Sequence, residues 1–200
     1  LARLLRFAST YTGNAEQDQS LDDYVGRCAE GQDKIYYILA DNHATAASSP
    51  HLEQLADKGI EVLLLSDRID PWVVDGLAEY DGKPLVDVAR EGLDLPESDN
   101  SVKQEAMDDE HKPLLERVSK ALEERVDAVH VSTRLVSSPA CVVAGENELN
   151  PQLRRMLEAS GQELPEARPI LEINIKHPLV ERLSAETDSS RFDSLAHIVL

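Results

Sequence analysis

The chain has 200 residues, with 20 basic against 38 acidic side chains and a formal net charge of −18, a length that suits one large domain or two small ones. Such an acid excess argues against a nucleic-acid partner, because proteins that grip phosphate backbones carry a basic face. Apolar residues at 42% and charged residues at 29% are ordinary globular usage, which excludes disorder throughout and allows a buried core.

The first hundred residues alternate helix and strand signals. Ser20 followed by Asp23 predicts a capped helix start, with Leu21, Tyr24, Val25 and Cys28 recurring at helical spacing. Residues 34–40 (KIYYILA) are short, apolar and rich in β-formers, and predict a buried strand. Ser49 and Pro50 supply a cap and a first-turn proline for a helix that Gly59 closes, and residues 61–65 (EVLLL) predict the next strand. Asp70, read as an N-cap before Pro71, starts a helix that carries Trp72, Val73 and Leu77, and a third strand is expected over 85–89. Strands separated by short helices predict crossovers and a small parallel-sheet α/β unit.

Residues 91–127 hold 12 acidic against 5 basic side chains and no strand signal. A long acidic connecting helix is expected, with Glu105, Asp108, Asp109 and Glu110 on a solvated face. This places a domain boundary near residue 98. The remainder, 99–200, reads as α+β, a short sheet with helices. Strands are expected over 127–133, 141–144 and 169–173, and helices open at Asn150 with Pro151, at Pro178 and at Ser190, the last carrying Phe192, Leu195, Ala196 and Val199 on one side.

Chemistry-bearing motifs are scarce. The glycines are too dispersed for a dinucleotide or phosphate loop, and no histidine falls into HxxH or HExxH. Cys28 and Cys141 stand far apart without metal-type spacing, which argues against a disulfide framework and fits a reducing cytoplasm. A nucleophile at Ser137 or Ser138 near His130 has no elbow around it and reads as a polar turn, and Asp67 with Asp70 reads as a helix start. No apolar run reaches the roughly 20 residues of a membrane span, and no signal pattern opens the chain. Both ends read as cut, Leu1 within an apolar-periodic segment and Ile198, Val199 and Leu200 without stop signals.

Two features stand apart. Leu149, Leu153, Met156 and Leu157 form one stripe of a short helix, with Arg154, Arg155 and Glu158 off it. Such a stripe is commonly core, yet a thioether among leucines also makes an adaptable sticky surface. Trp72, the only tryptophan in a chain with 4% aromatics, poses the same choice between core cap and exposed anchor.

Taken together, LLRFAST (4–10), SLDDYVGR (20–27), KIYYILAD (34–41), GIEVLLLSDRIDPWVVDGLAEYDGKPLVDV (59–88), VSTRLVSSPA (131–140) and LEINIKHPLVERL (171–183) resemble the heat shock protein 90 chaperone family in its bacterial form, in order and spacing. The resemblance implies that residues 1–98 are the distal part of a middle domain and 99–200 most of a C-terminal domain. It also implies an ATP and Mg site upstream of Leu1, with no catalytic residue and no cofactor in this segment. Trp72 matches a tryptophan beside the domain junction, and Leu149, Leu153, Met156 and Leu157 match an amphipathic helix, the positions where family members bind unfolded or partly folded client proteins. The family closes as a homodimer through two C-terminal helices. Leu195, Ile198 and Val199 lie in the first of these, and the chain ends there, so constitutive dimerisation is not expected of the segment alone. The rival readings are a small α/β enzyme with a crevice at the strand ends near Ala40 and Leu65, and an acidic scaffold; neither a nucleic acid nor a membrane is an expected partner.

Overall fold

The computed structural model describes residues 2–90, 92–93, 100–123, 125–145, 148–149, 151–162, 164 and 168–200. In chain order the strands are β1 (Ala8–Ser9), β2 (Ile35–Leu39), β3 (Leu63–Leu65), β4 (Glu79–Tyr80), β5 (Lys83–Asp87), β6 (Val129–Val131), β7 (Ala140–Val143) and β8 (Ile170–Ile173). The helices are α1 (Leu21–Arg27), α2 (His43–Ala47), α3 (Glu53–Asp57), α4 (Asp70–Gly76), α5 (Asn100–Ala121), α6 (Pro151–Ala159), α7 (Pro178–Ala185) and α8 (Ser189–Val199). They divide into two compact units, one formed by Leu1–Ala89 with Leu149–Leu164 and the other by Arg90–Glu148 with Pro165–Leu200. The expected boundary near residue 98 and the helix opener Asn150 lie outside the described residues.

The first unit is built on a five-stranded sheet in the order β1-β3-β2-β5-β4. Its central strands are parallel, as the intervening helices predict, with Tyr37 opposite Leu63 and Tyr36 opposite Val86. The edges correct the expectation of a purely parallel sheet. β1 runs antiparallel to β3, and β4 runs antiparallel to β5. The second pairing has a local cause: Asp81 and Gly82 both adopt left-handed backbone, with φ of 50° and 73°. A two-residue turn of this kind makes a hairpin, whereas a parallel partner needs a crossover of roughly a dozen residues or more.

Ser20 caps α1 as expected. Its hydroxyl accepts the Asp23 N–H at 3.1 Å while the Asp23 carboxylate accepts the Ser20 N–H at 3.1 Å, so two otherwise orphaned donors are satisfied. Leu21 and Tyr24 then face Phe7, Ile35, Leu63 and Leu65 in one core cluster. The Tyr24 hydroxyl donates to the Glu61 carbonyl at 2.8 Å and accepts the Tyr36 N–H at 2.9 Å, which lets a polar tip end inside an aliphatic core. The start of α4 differs from expectation. Ile69 occupies the cap position and Asp70 is the first helical residue, its carboxylate reaching back to the Asp67 N–H at 2.8 Å.

In the second unit the sheet order is β6-β8-β7, so the two strands nearest in sequence are separated by β8. β6 pairs with β8 parallel and β7 pairs with it antiparallel. Helix α5 is more than a connector: Leu115, Val118 and, just past its end, Leu122 are buried with Leu171, Ile173, Val180, Leu183, Phe192 and Val199. Asp108, expected on a solvated face, accepts the Val131 N–H at 2.6 Å and sits 2.7 Å from His130 Nδ1. Within this unit Glu172, in the middle of β8, is only 2% exposed. Arg134 Nε lies 3.0 Å from its carboxylate, and the Ser132 hydroxyl donates to it at 2.9 Å. A buried carboxylate needs such partners, because an unpaired charge in an apolar interior is heavily penalised.

Candidate functional site

Because β2 and β3 run parallel, the segments that leave their carboxyl ends emerge side by side. Ala40 and Asp41 follow β2, while Ser66, Asp67 and Arg68 follow β3. Pro71 of α4 and Arg155 and Met156 of α6 complete a groove of about 240 Å³ within the first unit. Arg155 Nη1 donates to Asp41 Oδ2 at 2.8 Å, with both side chains well exposed. Beneath the β3 exit, burial pushes the Asp70 carboxyl above the usual carboxylate range, against the backbone hydrogen bonds it accepts.

Several large apolar side chains of the first unit stand open, Met156 of the groove lining among them. Trp72 is 51% exposed and Ile69, three residues before it, is 60% exposed; that spacing puts both on one helical face. On α6 Met156 is 37% exposed, with Leu149 at 41% just ahead of the helix. Leu153 and Leu157 are half-buried. The stripe read from the sequence is therefore partly covered and partly open. Ile69 was not singled out from the sequence, because its exposure is visible only once the chain is folded.

The candidates in the second unit are placed differently. Val199 is buried in that unit's core, Leu195 packs partly against it, and Ile198 is 67% exposed. Cys141 is buried, and burial pushes the Cys28 thiol up, which keeps it in the weakly nucleophilic thiol form. His130 is engaged by Asp108. Among the described residues, no group of three or more His, Cys, Asp or Glu side chains could hold a metal ion, and the groove's arginines and aspartates include no glycine cradle for a nucleotide's phosphates. No helix among the described residues is long and apolar enough to cross a membrane.

Residues 1–199 match the Hsp90 protein family. The chaperone protein HtpG of Bordetella avium (strain 197N) is 52% identical over 203 residues, covering 100% of this chain and 32% of the relative. HtpG of Bordetella pertussis (strain Tohama I) is 55% identical over 192 residues, covering 94% and 30%. HtpG of Shewanella amazonensis is 50% identical over 203 residues, covering 100% and 32%. The chain thus spans roughly a third of the length of these curated relatives. Their common name supports neither the enzyme nor the scaffold reading.

Proposed function

This chain belongs to the Hsp90 protein family, and from that premise we propose that it is the client-holding segment of an ATP-driven chaperone. Unfolded or partly folded proteins are held by apolar burial, without sequence readout, against Trp72, Leu149, Leu153, Met156 and Leu157, with Ile69 added. The observation that carries this reading is that Met156 lines a groove of the first unit while Ile69 and Trp72, next in sequence to the groove-lining Arg68 and Pro71, and Leu149 stand open. Grouped apolar exposure of that kind marks interaction surfaces more often than chance. At ~25 cal/mol per Å², covering a few hundred Å² gives several kcal/mol before ordering costs. The grip is weak and promiscuous, which suits release. The net charge of −18 keeps such a surface from associating with itself and favours basic or neutral clients.

On this reading residues up to about 98 are the distal part of a middle domain and the rest most of a C-terminal domain, in a cytoplasmic heat shock protein. ATP and Mg act elsewhere in the whole protein, and this segment carries no ATPase residue. The whole protein closes as a homodimer, toward which Leu195, Ile198 and Val199 contribute their helix. Suppression of the aggregation of an unfolding client by the chain tests the holding site. Leu153→Ser with Met156→Ser, and Trp72→Ser separately, are expected to lose most of the protection while the melting transition persists. Full protection by all of these variants would remove the site.

A further inference from the structure

Helix α6 spans 9 residues, fewer than the roughly 12 at which an isolated helix becomes even marginally stable in water. Its order therefore depends on what it leans on. Arg154 turns back along the helix to Glu158 at 3.0 Å, whereas Arg155 reaches Asp41, 114 positions away, at the exit of β2. The neighbouring Met156 lines the same groove as Ala40, Ser66 and Pro71. This ion pair, with the thioether's place in the groove lining, is one tie between the helix and the sheet end, on a helix whose Leu153 and Leu157 are half-buried.

We propose that the Asp41–Arg155 pair is a latch that sets how much of the α6 apolar stripe is offered to a client. This rests on the reading of α6 as a client-holding surface and adds its regulation. The pair joins side chains 60% and 58% exposed, so water and salt reach it. Ions within a screening length of about 8 Å at physiological strength weaken it, and a basic side chain on an incoming unfolded segment competes with Arg155 for Asp41. A basic client consequently loosens the helix and uncovers the leucines that hold it, while an acidic segment leaves the latch shut.

The test uses the 200-residue chain and reads hydrogen exchange of the amides at 153–159 together with affinity for a permanently unfolded model polypeptide. Asp41→Asn keeps the side chain's shape and removes its charge. It is expected to raise both exchange and affinity by roughly two- to five-fold, the range an exposed ion pair supports. The reversed pair, Asp41→Arg with Arg155→Asp, is expected to restore both. Salt at about 1 M, where the screening length falls to about 3 Å, should bring the unaltered chain to the Asp41→Asn exchange rate and leave that variant unmoved. Unchanged exchange in Asp41→Asn, or no restoration by the reversed pair, overturns the latch. Faster exchange with unchanged affinity overturns the proposal at its premise, the client-holding role of α6.

Discussion

The two units differ in the features that stand out in each, although both bury polar groups and both leave apolar side chains open, Val136, Val142 and Ile198 in the second. The central strands of the first bury aliphatic and tyrosine side chains, as in the fully apolar β3, while its surface leaves Ile69, Trp72, Leu149 and Met156 open. The second buries a charged pair, Arg134 with Glu172, in the middle of its sheet, and its α7 and α8 sink their apolar stripes into the core. An interior charge tied by several partners fixes one arrangement, and it does so at some expense of stability. Exposed apolar groups impose no such single arrangement. The contrast sets a framework beside the face proposed to hold clients.

The contrast can be broken or sharpened by substitution. Glu172→Gln leaves the Arg134 guanidinium buried without its counter-charge, and a loss of about 4 kcal/mol is expected in denaturant unfolding. Replacing both partners, Arg134→Met with Glu172→Leu, should recover much of it; no recovery would mean that the pair does more than hold shape. In the first unit Leu63→Ala removes a fully buried side chain from the aliphatic core and should cost about 3 kcal/mol by the same measurement. The smallest effect is expected at the α1 cap, where Ser20→Ala should cost about 1 kcal/mol. That cap is also a pH-sensitive element. The Ser20 hydroxyl and N–H hold the Asp23 carboxyl below the usual carboxylate range. Its contribution is present above the ordinary carboxylate value and is lost as pH falls through the lowered one. The stability gap between the chain and Asp23→Asn should close in that acidic window, and a gap independent of pH would show that the carboxylate is not the stabilising partner.

Much of this framework was legible in the amino-acid pattern. Apolar β-rich runs announced β2 and β3, and the serine to aspartate spacing announced the α1 cap, because both signals are local. β1, with two residues, and β4, which begins at an ordinary glutamate, carry too little pattern to be read alone. Glu172 was illegible for a different reason: a carboxylate in a strand reads as outward-facing until Ser132 and Arg134, some forty positions away, are brought to it. The groove has the same character. Its residues come from three separated segments, 40–41, 66–71 and 155–156; the parallel pairing of β2 with β3 gathers the first two, and the placement of α6 adds the third. The stripe on α6 was visible from the sequence, whereas its degree of exposure, which decides between core and working face, is a property of packing.

Asp108 carries one more implication. β6 lies at the rim of its sheet, and a rim strand offers backbone donors to any extended segment that drifts past. By occupying the outward donor of Val131, the carboxylate blunts that rim. An extended segment, from this chain or another, thus finds one backbone donor fewer with which to add itself as a further strand.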